Sequence, residues 1–200
     1  MSNLQQKGEV SFDCTEFLGG RLREHREAFE ATSAAIDVPF AAALAIIEDS
    51  LRAGGKLLLF GNGGNAADAQ HIAAELVIRY KSDRAAIAAI ALTTDSLALT
   101  ADLGFDAIFA RQIEALARPG DVVVASSTSG NSPNVLAGLL EARRRGAGTV
   151  GLTSGIGGKM TEFCDAIIAV PSKVTARIQE MHILIGHMLC KALERRLGLV

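Results

Sequence analysis

Tryptophan is absent from this chain, tyrosine occurs once, and aromatic residues make up only 4% of the 200 positions. The core must therefore be built from Ala, Leu, Ile and Val, and abundant Ala lets helices approach closely. Cysteine is scarce too: Cys14, Cys164 and Cys190 are odd in number and lack C-x-x-C spacing. That argues against a disulfide framework or cysteine-built zinc module and implies free thiols in a reducing compartment. Excess charge of one sign is also missing, with 20 Lys and Arg against 22 Asp and Glu. The longest basic run, Arg143-Arg144-Arg145, closes a predicted helix, where cations favour the helix dipole. Counterion release has little to act on, so no nucleic-acid partner is expected. No apolar run approaches ~20 residues, which argues against a membrane span. The opening MSNLQQKGEV lacks a signal peptide's apolar stretch, and the expected location is the cytoplasm.

Apolar residues are plentiful at 49% and charged residues reach 21%, enough for a real core and too apolar for a disordered chain. Residues 1–13 are polar and are expected to form a flexible N-terminus; 14–200 read as one domain with helical extensions. Helices are predicted from Cys14 to about Thr32, and from near Pro39 to Arg52, where Gly54-Gly55 ends the second. Short apolar runs at Lys56–Phe60, Ala85–Leu92, Val122–Ser126, Thr149–Thr153 and Ala166–Val170 read as strands. Helices are predicted between them, reaching Tyr80 after the first strand and covering Ile108–Ala117 and Val135–Arg145. A long last helix spans Thr175–Leu197. This alternation predicts an α/β fold: a doubly wound, five-stranded parallel sheet with extra N-terminal helices and a long C-terminal helix. The Ala/Leu/Ile-rich terminal helices suit packing against a second copy, and a homo-oligomer, a tetramer, is expected.

Ligands of open parallel sheets bind beyond the strand C-termini. Three loops at such ends carry small polar residues: GNGGN after the first predicted strand, TTDS after the second and SSTSGNS after the third. Ser127, Thr128, Ser129 and Ser132 set four hydroxyls around a glycine turn leading into a helix, a combination suited to phosphate; the plain alternative is a Ser-rich helix cap. GNGGN matches neither G-x-x-x-x-G-K-[ST] nor G-x-G-x-x-G, since Ala66 takes the third glycine position. Beyond it, His71 and Glu75 stand four apart on one helix face. They can supply two metal ligands or an acid–base pair, or make an ordinary surface contact. The final helix adds Gln179, Glu180, His182 and His187. Gln179 and His187 are eight residues apart, so both can lean to one side; His187, in an apolar stretch, reads either as a core residue or as half of a site.

GNGGNAADAQHIAAEL, ALTTDS, GDVVVASSTSGNSPNV, GGKM and ARIQEMHILIGHMLC together resemble, in order, segments of the sugar isomerase (SIS) domain family, and within it the phosphoheptose isomerase branch, over about residues 14–197. The resemblance implies a flavodoxin-like SIS fold and an aldose–ketose isomerase. It would convert D-sedoheptulose 7-phosphate to D-glycero-D-manno-heptose 7-phosphate through an enediol, for lipopolysaccharide or other surface glycans. It implies one Zn(2+) per subunit held by His71, Glu75, Gln179 and His187. Proton transfer between C1 and C2 needs a base and an acid, and Glu75 is read as the base and His187 as the acid. Asn62, Gly63, Gly64, Asn65, Glu75, Asp102, Ser127, Thr128, Ser129, Ser132 and Gln179 are implied substrate contacts. Active sites are implied at the interfaces of a homotetramer. The alternatives are a non-catalytic SIS module binding a phosphosugar or protein partner, or an isomerase of another phosphosugar. Three departures stand out. Asn65 replaces the usual Ser; the segment between Thr94 and Phe105 is about three residues short, lacking an Asn beside Asp102; and Ala176 replaces an Asp of some members.

Overall fold

Strand β1 (Leu57–Gly61) is buried along its whole length. A strand with no polar face needs cover on both sides, and helices wound about a parallel sheet supply it. The computed structural model, which describes residues 12–93 and 96–200, meets that need. β1 is joined by β2 (Ala89–Ala91), β3 (Val122–Ser126), β4 (Gly148–Ser154) and β5 (Ala166–Val170), all pairing in parallel, in the spatial order β2-β1-β3-β4-β5. The helices are α1 (Cys14–Ala35), α2 (Asp37–Arg52), α3 (Gly64–Val77), α4 (Ser96–Leu103), α5 (Ile108–Leu116), α6 (Pro133–Arg144) and α7 (Thr175–Arg196).

Alternate side chains along each strand point to opposite faces, which creates two cores. Leu57, Leu59, Val122, Val124, Val150 and Ile168 meet Ile47 of α2, Ile72 and Leu76 of α3, and Ile185 and Leu189 of α7. On the other face Leu58, Phe60, Val123 and Ala125 meet Phe109 and Ile113 of α5 and Val135 and Leu139 of α6. The rings of Phe60 and Phe109 lie 4.8 Å apart, one of the few aromatic contacts in an aromatic-poor core. Among the described residues no single helix is long and apolar enough to cross a membrane. α1 and α2 pass that test only as a pair bent by 69°, and α2 buries Ala43 and Ile47 against the sheet.

The five strands and the long terminal helices agree with the sequence reading. β2 is shorter than the predicted Ala85–Leu92: the chain before it turns back to α3, with Ile87 N–H on the Leu76 carbonyl, and joins the sheet only as an edge. α2 begins at Asp37, two residues before Pro39, and α3 stops at Val77, not Tyr80. Helix α4 was not expected, because eight residues are too few to display a clear apolar period. The expected flexible N-terminus falls largely on residues 1–11, and Thr94-Asp95 of the TTDS loop also lie outside the described residues.

Cys14 is exposed, Cys164 half-buried and Cys190 buried. Burial pushes the thiols of Cys164 and Cys190 up to about 12, and neighbouring carboxylates add to it, Asp165 at Cys164 and Glu75 and Glu194 at Cys190. Reactivity follows thiolate content and access. In a disulfide-exchange titration of native protein at pH 8, Cys164 and Cys190 are expected to stay unmodified until the chain is unfolded.

Candidate active site

The strand order reverses between β1 and β3. The chain leaves β1 for α3 on one face of the sheet and leaves β3 for α6 on the other, which opens a crevice at their C-terminal ends. Gly61 and Ser126, the last residues of the two strands, are in register across it. Asn62 and the fully buried Asn134 exchange two side-chain hydrogen bonds of 2.9 Å, tying the start of α3's turn to the first turn of α6. Gly63 takes φ +58°, a conformation that favours glycine, and starts α3 with no side-chain cap. Gly63 and Gly64 are exposed and Asn62 is half-buried, so this turn lines the crevice end of the sheet.

The loop after β3 forms the opposite wall. The hydroxyl of Ser127 lies 3.0 Å from that of Ser132 and 3.5 Å from that of Ser129. Ser132 is the N-cap of α6 but spends no side-chain bond on capping, and Pro133 follows it. Three hydroxyls thus converge at a helix N-terminus whose dipole favours an anion. The loop is held from below: Ser154 Oγ donates to the Thr128 carbonyl at 2.5 Å and Met160 N–H to the Gly130 carbonyl at 3.0 Å. Gly130 is required here, since a Cβ would stand 2.1 Å from the Gly157 carbonyl oxygen.

The departure at Asn65 finds its account in His182. Asn65 is 4% exposed and His182 1% exposed. His182 Nε2 lies 3.1 Å from the Thr153 carbonyl, and its Nδ1 lies 3.2 Å from Asn65 Oδ1. A carbonyl only accepts, so Nε2 carries the proton. Burial, outweighing the Thr153 carbonyl, holds the imidazole below its ordinary range. The ring is therefore neutral, and its Nδ1 needs a donor. Asn65 supplies one when its amide presents NH2 to Nδ1, an orientation equal in volume to the reverse. The side chain expected among the substrate contacts thus faces inward and fastens α3 to α7 and β4. The sequence offered His182 as one of several polar residues on the last helix; nothing local distinguished it from His187.

Further along the same two helices, His71 and His187 face each other with Nε2 atoms 2.9 Å apart and rings in an edge contact. One nitrogen must donate and the other accept. Glu75 Oε1 is 3.6 Å from His71 Nε2; its Oε2 is buried with no hydrogen-bond partner. Tyr80 packs its ring 5.5 Å from that of His187. Gln179 is not brought to this cluster. Its amide lies over Gly64, where a Cβ would be 2.6 Å from Nε2. Eight residues of α7, roughly 12 Å of rise, separate it from His187. Sharing a face is not sharing a point: within one chain Gln179 stands apart from the other three residues of the set the resemblance implies. Glu180 is turned to α1, bonding His25 at 2.6 Å and pairing with Arg177. Asp102 is exposed on α4 in a surface depression with Leu103, Arg111 and Glu114. Asp68, one turn before His71, has a buried oxygen without a partner, and burial pushes its carboxyl above the ordinary range.

His71 lies within 3.6 Å of both His187 and Glu75, and these three side chains would be the ones to hold a metal. No group of three or more His, Cys, Asp or Glu is arranged around an ion position among the described residues. The donor chemistry nonetheless suits zinc, because two imidazoles and a carboxylate form a known set and the free Glu75 oxygen lacks any other partner.

An SIS domain model matches residues 22–154. The phosphoheptose isomerase of Paramagnetospirillum magneticum is 56% identical over 181 residues, 89% of this chain and 94% of that protein. The phosphoheptose isomerase structure from Neisseria gonorrhoeae superimposes with a TM-score of 0.86 at 38% identity, covering 92% of this chain and all of that one. The one from Francisella tularensis gives 0.88 at 32% identity, with the same coverage. The crevice, its two loops and these likenesses define a phosphosugar-type SIS protein. Within that class, the chain belongs to the phosphoheptose isomerase family.

Asn65→Ala leaves the buried Nδ1 of His182 without a donor and is expected to destabilise the fold by about 1–3 kcal/mol. A double-mutant cycle with His182→Leu, followed by denaturant unfolding, should return most of that loss as coupling; additive effects would show that the two side chains do not interact.

Proposed function

We propose that this chain is an aldose–ketose isomerase converting D-sedoheptulose 7-phosphate to D-glycero-D-manno-heptose 7-phosphate through an enediol. The observation that carries the reading is the cluster of His71, Glu75 and His187, in a chain 56% identical to a phosphoheptose isomerase. The reaction moves a proton between C1 and C2, which needs a base near the carbon and an acid near the oxygens. Glu75 suits the base role because its Oε2 is buried and has no competing donor. His187 suits the acid role because an imidazole N–H can donate to a substrate oxygen, and its Nε2 stands 2.9 Å from that of His71 on the same side of the two helices.

The hydroxyls of Ser127, Ser129 and Ser132 and the N-terminus of α6 anchor the phosphate, so binding energy far from the reacting carbons orients the substrate. Asn62, Gly63 and Gly64 form the sugar's wall, with Thr128 behind the phosphate and Asp102 a further contact from the α4 side.

His71, Glu75 and His187 would hold zinc, with Gln179 as a fourth ligand contributed from a second copy, and the ion would supply carbonyl polarisation. A second copy is supported on two counts. His71 is half-exposed in one chain, and enediol chemistry benefits from excluding water; α1 presents Phe17, Leu18, Leu22 and Phe29 to solvent. We take the assembly to be a homotetramer with interfacial sites, acting in the cytoplasm on a small phosphosugar for surface glycan synthesis.

Glu75→Gln is expected to lower turnover by roughly 10²–10⁴-fold while sedoheptulose 7-phosphate still binds in calorimetry. A rate near that of the unmodified protein would remove Glu75 from the base role, and binding without turnover in the unmodified protein would favour a non-catalytic module. Protein purified without chelators is expected to contain close to stoichiometric zinc by elemental analysis, lost in His71→Ala; zinc content unaffected by that change would place the ion elsewhere.

A further inference from the structure

Arg84 and Glu194 form the most deeply buried ion pair among the described residues, with side chains 0% and 3% exposed. Neither belongs to the crevice or the histidine pair, yet their contacts run to the backbone of Glu75 and, through Tyr80, to the ring of His187. Arg84 Nε donates to Glu194 Oε1 at 2.8 Å. One terminal nitrogen donates to the Glu75 carbonyl at 2.8 Å, the other to the Leu76 and Ala85 carbonyls at 2.7 and 2.9 Å. Glu194 Oε1 also accepts from the Tyr80 N–H at 3.2 Å, and Tyr80 packs its ring on His187.

The last carbonyls of a helix have no partner within it, and a cation there is favoured by the dipole. Arg84 meets both needs at the end of α3, but it does so on the peptide of Glu75 itself. A buried ion pair is a poor means of adding stability, since apolar groups of similar volume often do as well. What it adds is direction: a planar guanidinium with its three nitrogens committed fixes where the peptide beneath it lies. The same pair fixes Tyr80, which backs the ring of His187.

We infer that Arg84, held by Glu194, is a positioning residue that sets the Glu75 carboxylate and the His187 ring at their working separation. The inference rests on the isomerase reading above. Two variants test it. Arg84→Met combined with Glu194→Met removes both charges at similar volume. Arg84→Lys keeps a charge opposite Glu194 but offers one nitrogen where three are used, and serves where the double variant does not fold. For each variant that unfolds cooperatively, kcat and KM are measured separately with sedoheptulose 7-phosphate. Misplacing a reacting group by about 1 Å can cost 10²-fold, so kcat should fall on the order of 10–100-fold with KM within about two-fold. A folded variant with unchanged kcat, or one changed in KM alone, overturns the positioning role and leaves Arg84 a helix cap. Absence of isomerase activity in the unmodified protein instead overturns the isomerase reading, and this inference with it.

Discussion

Two neighbouring strands send their chains to opposite faces of one sheet, and the site depends on that divergence. β1 continues into α3 on the face shared with α7, β3 into α6 on the other. Between them the C-terminal edge cannot be filled by either helix, and the backbone amides of two helix N-termini are left facing a gap. The Asn62–Asn134 pair sets the width of that gap, because each amide supplies both a donor and an acceptor and the exchange is complete only at one separation. An anion-binding loop beside it follows from the hydroxyl content of residues 127–132 and from the helix they introduce.

A second constraint is the closeness of α3 and α7. At Gly186 a Cβ would lie 2.6 Å from Ile72 Cδ1, and Gly64 is similarly closed over by Gln179. Small residues at those two points let the helices run side by side, and their polar side chains then meet in pairs. Asn65 meets His182, His71 meets His187, and beyond the end of α3 Arg84 meets Glu194. Only the middle pair is open to solvent. The flanking pairs are buried, so each acts as a fastener on either side of the reactive one. A chain poor in aromatics packs these helices with Ala, Ile, Leu and Gly, and the short side chains are what allow imidazole to reach imidazole.

Much of this was readable beforehand, for physical reasons that differ by element. Continuous apolar runs of about five residues between glycines have few uses other than a doubly covered strand, so β1, β3, β4 and β5 were legible. The hydroxyl loop was legible because its chemistry is local: neighbours in sequence are neighbours in the fold. β2 and α4 were harder, since an edge strand needs little apolar length and an eight-residue helix shows no period. The place of Gln179 was not legible, because helical spacing reports a shared face while saying little about whether two side chains on it can reach one point.

By itself, the sequence determined the class of fold, the loops that border the crevice and the identity of the groups able to handle protons or metal. Those are properties of composition, period and adjacency. The tertiary structure alone decided which of them meet. Residues 71 and 187 are 116 positions apart, 65 and 182 are 117, and 84 and 194 are 110, and no local rule couples such distances. Only the packing of α3 against α7 selects, from four histidines in the chain, the one that faces His71 and the one that is spent on Asn65.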